Sequence, residues 1–147
     1  MDNEQTFELI DKLSFFAGFT QEEKQFLSTL ENQIYKYQPS DFIITEGDTD
    51  YSFYVLLKGV VRIAKSYPKE LTITKLKAGT VFGEIACLTK RKRITSVIAD
   101  GDVIALKIDT KNIDALKPAI PTKLKDNLIE ILVKQLEAMN EQILRNV

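Results

Sequence analysis

The sequence has no histidine and no tryptophan, and Cys87 is the only cysteine among its 147 residues. With a single cysteine no internal disulfide can form, so a reducing compartment is expected and the chain is predicted to be cytoplasmic. The usual ligands of a zinc site are missing as well, so no metal and no bound cofactor are expected. Since no histidine is present to activate the thiol, Cys87 is interpreted as a small packing residue.

The net charge and the lengths of the apolar runs exclude further classes of protein. Twenty Lys and Arg against 21 Asp and Glu give a formal net charge of −1, which provides no general attraction to nucleic acid or to an anionic membrane. The first residues include Asp2 and Glu4 rather than basic residues, and no apolar run is long enough to span a bilayer. Neither a signal peptide nor a transmembrane helix is therefore predicted, and the length fits one globular domain, 1–147.

Hydrophobic periodicity divides the chain into three parts. Residues 1–32 show helical spacing, with Thr20-Gln-Glu-Glu23 in the form of a capping box. Residues 33–108 contain about eight short apolar runs separated by turn residues, which is typical of an antiparallel sandwich or barrel. Residues 109–147 return to helical spacing. The fold class is therefore mostly β with flanking helices.

Two kinds of boundary are predicted within this pattern. Lys58-Gly59 and Asp100-Gly101 are interpreted as hairpin turns between neighbouring strands. A short helix is expected from Asp109, followed by a long final helix that starts near Pro121, since proline is tolerated in a first helical turn.

The residues that point to a binding function lie in the stretch from Phe82 to Ala99. Gly83 can adopt backbone angles closed to other residues, and the segment that follows it is long enough for one helical turn, whose first N–H groups favour an anion. Arg93, the last of four consecutive cations, offers a planar set of donors suited to phosphate oxygens. Glu84 suits a hydroxyl group. The stretch is therefore predicted to bind a ligand that carries both a phosphate and a sugar.

The same residues resemble a known family. Phe82-Gly-Glu-Ile-Ala-Cys-Leu88, four further residues and then Arg93-Ile-Thr-Ser-Val97 are similar to the phosphate-binding cassette, here 82–97, of the cyclic-nucleotide-binding domain family. That family includes the catabolite activator protein and the regulatory subunits of protein kinase A. Four upstream segments match it in the same order: Tyr37-Gln-Pro39, Ile44-Thr-Glu-Gly-Asp48, Phe53-Tyr-Val-Leu-Leu-Lys-Gly59 and Leu76-Lys-Ala-Gly79.

The resemblance implies an antiparallel β jelly-roll barrel with N-terminal helices and a long C-terminal helix. It also implies that Glu84 binds the ribose 2′-hydroxyl, that Arg93 binds the cyclic phosphate, and that backbone N–H groups complete the site. Lys92 stands where the family usually has proline, and two larger residues follow Arg93 where small ones are usual. The predicted ligand-binding residues are Phe82, Gly83, Glu84, Ile85, Ala86, Arg93, Ile94 and Thr95.

The function implied by this resemblance is that of a non-enzymatic cyclic-nucleotide sensor that signals to an unknown effector protein by movement of its C-terminal helix. The expected ligand is cAMP, with cGMP as the second candidate. The alternative is a ligand-free interaction module that keeps the fold. An enzyme is the third and least favoured option, because no base, nucleophile and oxyanion donor occur together in the sequence.

The final helix carries an apolar seam with alternating spacings of three and four residues. A homodimer through this seam and docking of the seam on the chain's own barrel are left as equal alternatives. The seam consists of Ile129, Leu132, Leu136, Met139 and Ile143.

Overall fold

Short apolar runs form eight strands between helical ends in the computed structural model, which describes residues 2–30, 33–66, 68–109 and 116–146. The strands are β1 (Ile34–Tyr37), β2 (Phe42–Ile44), β3 (Phe53–Lys58), β4 (Val60–Lys65), β5 (Leu71–Lys77), β6 (Val81–Phe82), β7 (Ser96–Ala99) and β8 (Val103–Ile108). The helices are α1 (Asn3–Asp11), α2 (Gln21–Ser28), α3 (Glu84–Thr89) and α4 (Ala119–Arg145), with a 3₁₀ turn at Ser14–Phe16.

The predicted capping box at the start of α2 is present. The Thr20 hydroxyl accepts a hydrogen bond from the backbone N–H of Glu23 at 3.1 Å, and the Glu23 carboxylate accepts one from the N–H of Thr20 at 2.8 Å. Two of the N–H groups that have no partner inside the helix are thereby satisfied. Asp2 and Gln5 form the same arrangement at the start of α1.

The strands pair into two antiparallel four-stranded sheets, in the orders β1-β8-β3-β6 and β2-β7-β4-β5. Apolar residues of both sheets, among them Leu56, Val61 and Val97, form a buried cluster. This arrangement confirms the prediction of a jelly-roll fold with flanking helices. The two sheets remain separate in the described residues and do not close into one continuous barrel.

Strand β3 is buried on both faces, which explains why its sequence is a continuous apolar run. Tyr54 and Leu56 belong to the apolar cluster formed by both sheets. The alternate residues point to the opposite face, and α1 packs against this strand. The strand thus anchors both the core and the N-terminal helices.

The two predicted hairpins are wrong. Lys58-Gly59 joins β3 to β4, and Asp100-Gly101 joins β7 to β8, but in each case the two strands belong to different sheets and do not pair. A glycine-containing turn permits a tight change of direction but does not decide whether the next strand returns to the same sheet. The turns meet at one corner, where the Asp100 N–H donates to the Val60 carbonyl at 2.9 Å.

The chain divides into two units, Met1–Ile113 and Asp114–Val147. In the second unit, α4 begins at Ala119 rather than at the predicted Pro121, which lies inside its first turn. The predicted short helix after Asp109 falls mainly on residues 110–115, outside the described residues. In the ranges that the structure describes, no helix is both long and apolar enough to cross a membrane.

Candidate functional site

Gly83 connects β6 to α3 in a backbone conformation with φ of +80°, which disfavours any residue with a Cβ atom. A Cβ built there would lie 3.0 Å from Nη1 of Arg93 and 3.1 Å from the Ser52 carbonyl oxygen. The glycine therefore permits both the turn and the close approach of the arginine. The helical turn expected after it is present as α3, which begins at Glu84.

Arg93 is buried, with 5% of its surface exposed, and its backbone is fixed at both polar groups. Its N–H donates to the Asp48 carbonyl at 2.9 Å, and its carbonyl accepts from the Gly47 N–H at 2.8 Å. In the side chain, Nη1 donates to the Gly83 carbonyl at 2.7 Å and Nη2 donates to the Ser52 carbonyl. Nε is buried and has no hydrogen-bond partner among the described residues.

Asp50 and Lys107 extend the charged cluster, and the sequence did not single out either residue for the site. Oδ2 of Asp50 lies 3.7 Å from Nη2 of Arg93 and 3.8 Å from Nζ of Lys107. Oδ1 of Asp50 accepts hydrogen bonds from the N–H and the hydroxyl of Ser52, at 3.0 and 2.9 Å. Although burial opposes ionisation, these hydrogen bonds and the charges of Lys107 and Arg93 lower the pKa of Asp50.

Glu84 is the second charged residue predicted for the site, and it is also buried. Burial raises the pKa of its carboxyl, while its own backbone N–H and the charge of Arg93 act in the opposite direction. A buried carboxylate is stabilised by a hydrogen-bond donor that takes the place of the water it has lost. A ligand hydroxyl group is a donor of this kind.

The other predicted site residues differ in exposure. Phe82 is buried and stacks on Tyr54 with ring centroids 5.0 Å apart, so its side chain belongs to the core. Ala86 is buried, Ile85 is half exposed and Ile94 is 67% exposed. Thr95 is half-buried. The roles predicted for Ile85, Ala86 and Ile94 use backbone groups, and the assignment of the whole set to a ligand remains a prediction.

The three cations before Arg93 do not share its environment. Arg91 and Lys92 are exposed. Lys90 ends α3 with a φ of +56°, and its ammonium lies 5.6 Å from the centre of the Tyr51 ring. Among these four cations, only Arg93 is positioned by buried hydrogen bonds.

The raised pKa of Glu84 predicts a pH dependence of stability. Because the folded carboxyl keeps its proton to a higher pH than the unfolded one, the free energy of unfolding falls as pH rises from the unfolded pKa through the folded pKa. Glu84→Gln has no carboxyl to titrate and does not lose this stability. The free energy of unfolding of the variant minus that of the wild type is therefore expected to be larger at about pH 7 than at about pH 4. Urea denaturation at both pH values measures the difference.

The control for this experiment is Glu8→Gln, which removes one carboxylate from an exposed position of α1. If the difference between Glu84→Gln and wild type is the same at both pH values, the carboxyl does not titrate abnormally in the folded protein.

Comparisons with known proteins identify the family. The family model described as "Cyclic nucleotide-binding domain" matches residues 34–117, which is more than half of the chain. The chain is 32% identical over 123 residues to "Cyclic nucleotide-gated channel beta-3" of Mus musculus, covering 81% of this chain. It is 37% identical over 95 residues to "cAMP-dependent protein kinase regulatory subunit" of Hypocrea atroviridis, covering 64% of this chain.

Coverage of these two relatives is small, because the chain spans 17% of the channel protein and 20% of the kinase subunit. Among solved structures, the catabolite activator protein of Thermus thermophilus matches with a TM-score of 0.73 and 26% identity. That match covers 88% of this chain and 61% of the other.

Proposed function

The chain belongs to the cyclic nucleotide-binding domain family, and we propose that it is a non-enzymatic sensor of a cyclic nucleotide, with cAMP as its ligand. The observation that supports this most directly is the Nε of Arg93, a buried donor without a partner among the described residues. An unsatisfied buried N–H group costs about 1–3 kcal/mol, and a phosphate oxygen would satisfy it. The cassette residues Phe82 to Ala86 and Arg93 to Thr95 are proposed as the ligand site.

Glu84 supplies the second half of the proposed recognition. It is the buried first residue of α3, and the charge of Arg93 acts on the pKa of its carboxyl. In this proposal Arg93 binds the cyclic phosphate and Glu84 accepts a hydrogen bond from the ribose 2′-hydroxyl. The two groups together would favour a nucleotide that carries both features over a free phosphate.

Selectivity for cAMP over cGMP is part of the proposal. A hydroxyl group directly after Arg93 could accept a hydrogen bond from the guanine amino group, but that position is Ile94, which has no polar atom in its side chain. Leaving the guanine donor unpaired costs roughly 1–3 kcal/mol, so we expect cAMP to bind about ten- to a hundredfold more tightly. Titrations of wild type and Ile94→Thr with both nucleotides measure this preference.

Thr95 is the matched control position for selectivity. If its hydroxyl met the guanine amino group, Thr95→Val would weaken cGMP binding, whereas our proposal expects no selective change. Ile94→Thr should gain affinity for cGMP. Equal affinities of the wild type for cAMP and cGMP would contradict the selectivity.

We further propose that the C-terminal helix α4 transmits the signal, and that it does so in a homodimer. Four of the five seam residues, Ile129, Leu136, Met139 and Ile143, are more than half exposed. The positions that flank the seam in a heptad repeat carry neutral residues: Val133, Gln135, Asn140 and Gln142. Two copies of the helix would therefore pair without repulsion between like charges.

A charge in the middle of the seam tests the dimer. Leu136→Glu would place a carboxylate in the apolar interface of each helix, so we expect it to convert a dimer to a monomer in sedimentation velocity. Ala138→Glu is the control, because two residues further along a helix the side chain lies on the opposite face. A wild-type chain that sediments as a monomer at high concentration would rule out the dimer.

A second candidate function is a ligand-free interaction module, and one observation favours it. Both terminal nitrogens of Arg93 already donate to backbone carbonyls, and Asp50 lies within 3.7 Å of one of them. Two of the five N–H donors of the guanidinium are thus used inside the protein, and Asp50 partly compensates its charge. Calorimetry of the wild-type chain with cAMP separates the two functions, because only the sensor binds.

A further inference from the structure

Lys107 is a cation of the candidate site that comes from outside the cassette. It lies on β8, directly opposite Tyr54 of β3 in the strand register. Its ammonium is 5.6 Å from the centre of the Tyr35 ring and 5.9 Å from the centre of the Tyr54 ring. The faces of aromatic rings attract cations, so the two rings hold the ammonium beside Asp50.

The Asp50 carboxylate is shared between two cations. The same oxygen, Oδ2, faces Nη2 of Arg93 at 3.7 Å and Nζ of Lys107 at 3.8 Å. The other oxygen, Oδ1, is occupied by the N–H and the hydroxyl of Ser52, so the carboxylate is held in place. The Ser52 carbonyl in turn accepts a hydrogen bond from Arg93.

This geometry creates a conflict for an anionic ligand. A phosphate that binds Arg93 approaches a carboxylate already paired with that arginine, and like charges at such distances repel. If Asp50 were paired with Arg93 alone, the two charges would cancel and the site would offer little positive potential. Lys107 supplies the charge that compensates Asp50 and leaves that of Arg93 available.

We propose that Lys107 is a positioning residue that sets the affinity of the site for its phosphate-bearing ligand by neutralising Asp50. The proposal rests on the proposed function, since it concerns the same ligand. Lys107 acts through Asp50, which it keeps from fully compensating Arg93. The site thereby combines a carboxylate that orders the loop around Ser52 with enough positive charge to bind an anion.

The proposal predicts that two substitutions change the affinity for cAMP in opposite directions. Lys107→Met keeps the length and the apolar stem but removes the charge, and it is expected to weaken cAMP binding about three- to tenfold. Asp50→Asn keeps an oxygen that can accept from Ser52 but removes the negative charge, and it is expected to strengthen binding by a similar factor. In the Asp50→Asn background, Lys107→Met should have a smaller effect than in the wild type.

The measurement is calorimetric titration of each purified variant with cAMP at one fixed ionic strength. Lys75→Met and Asp100→Asn are matched controls, because Lys75 and Asp100 form an ion pair at 2.9 Å that includes neither Asp50 nor Lys107. Each control changes the net charge by the same amount as its test variant. Lys107→Arg restores the charge and should recover most of the affinity.

The outcomes distinguish this proposal from a structural role and from the proposed function itself. A structural role would weaken binding in both Lys107→Met and Asp50→Asn and lower their melting temperatures, and that result would overturn the proposal. Unchanged affinity in Lys107→Met would overturn it as well, while leaving the sensor function intact. A wild-type chain that binds no cyclic nucleotide would instead refute the sensor function, and this inference with it.

Discussion

Arg93→Ala is expected to weaken cAMP binding by about 30- to 1,000-fold, which corresponds to a loss of about 2–4 kcal/mol of charge-assisted contacts to the phosphate. Arg93 is the buried cation of the cassette, and its Nε has no partner among the described residues. Glu84→Ala should weaken cAMP binding less than Arg93→Ala does, because the proposed partner of Glu84 is a neutral hydroxyl group. Titration calorimetry of both variants measures the two effects.

Arg91→Ala is the matched control for this prediction, since it removes the same charge from an exposed position two residues away. Arg93 also binds the carbonyls of Gly83 and Ser52, so its loss is expected to lower stability, and thermal melts must show that the variant is folded at the temperature of titration. Arg93→Lys provides a second variant that keeps the charge but not the planar set of donors. Unchanged affinity in folded Arg93→Ala would contradict the assignment.

Gly59→Ala is expected to be the most destabilising of the glycine substitutions in the strand region. Gly59 has a φ of +95°, and a Cβ at this position would lie 2.2 Å from the carbonyl oxygen of Asp102. Since that atom belongs to the backbone of the neighbouring turn, the overlap can be relieved only by moving the corner at which both turns meet. We expect a loss on the order of 3–5 kcal/mol in the free energy of unfolding, measured by urea denaturation.

Gly47→Ala separates backbone strain from steric overlap. Gly47 has nearly the same φ, +93°, but an added Cβ would meet no atom within 4 Å. Its substitution should therefore cost only the strain of the left-handed backbone, about 1–2 kcal/mol. Equal losses in Gly47→Ala and Gly59→Ala would show that the contact with Asp102 contributes nothing.

The local features of the fold could be predicted from the sequence. The capping box at Thr20 and Glu23 and the helical turn after Gly83 depend on residues within a few positions of one another, and both occur as predicted. Strand β5 occurs too, but its alternating apolar residues Leu71 and Ile73 are exposed. Within the ranges that the structure describes, this strand pairs with β4 alone, at the edge of its sheet, and alternation does not reveal whether another layer covers it.

The pairing of strands and the full charge environment of the site could not be predicted in the same way. The turn at Lys58-Gly59 has the composition of a hairpin, yet its strands belong to different sheets, because partner choice depends on contacts with distant strands. Ser52 lies 41 residues from Arg93 in the chain and is nevertheless its hydrogen-bond partner. Asp50 precedes β3 and Lys107 lies on β8, so the pairing of these two strands brings them together, and no local pattern marks them.

Calorimetric titration of the purified wild-type chain with cAMP tests the central claim most directly, with cGMP and a cyclic dinucleotide as comparison ligands. The account predicts saturable binding of one cAMP per chain, stronger than the binding of cGMP. The Nε of Arg93, which has no partner in the part of the chain that the structure describes, and the buried Glu84 carboxyl each gain a partner from the ligand. Absence of binding to cAMP and to both comparison ligands, by a chain shown to be folded, would contradict it and favour the ligand-free interaction module.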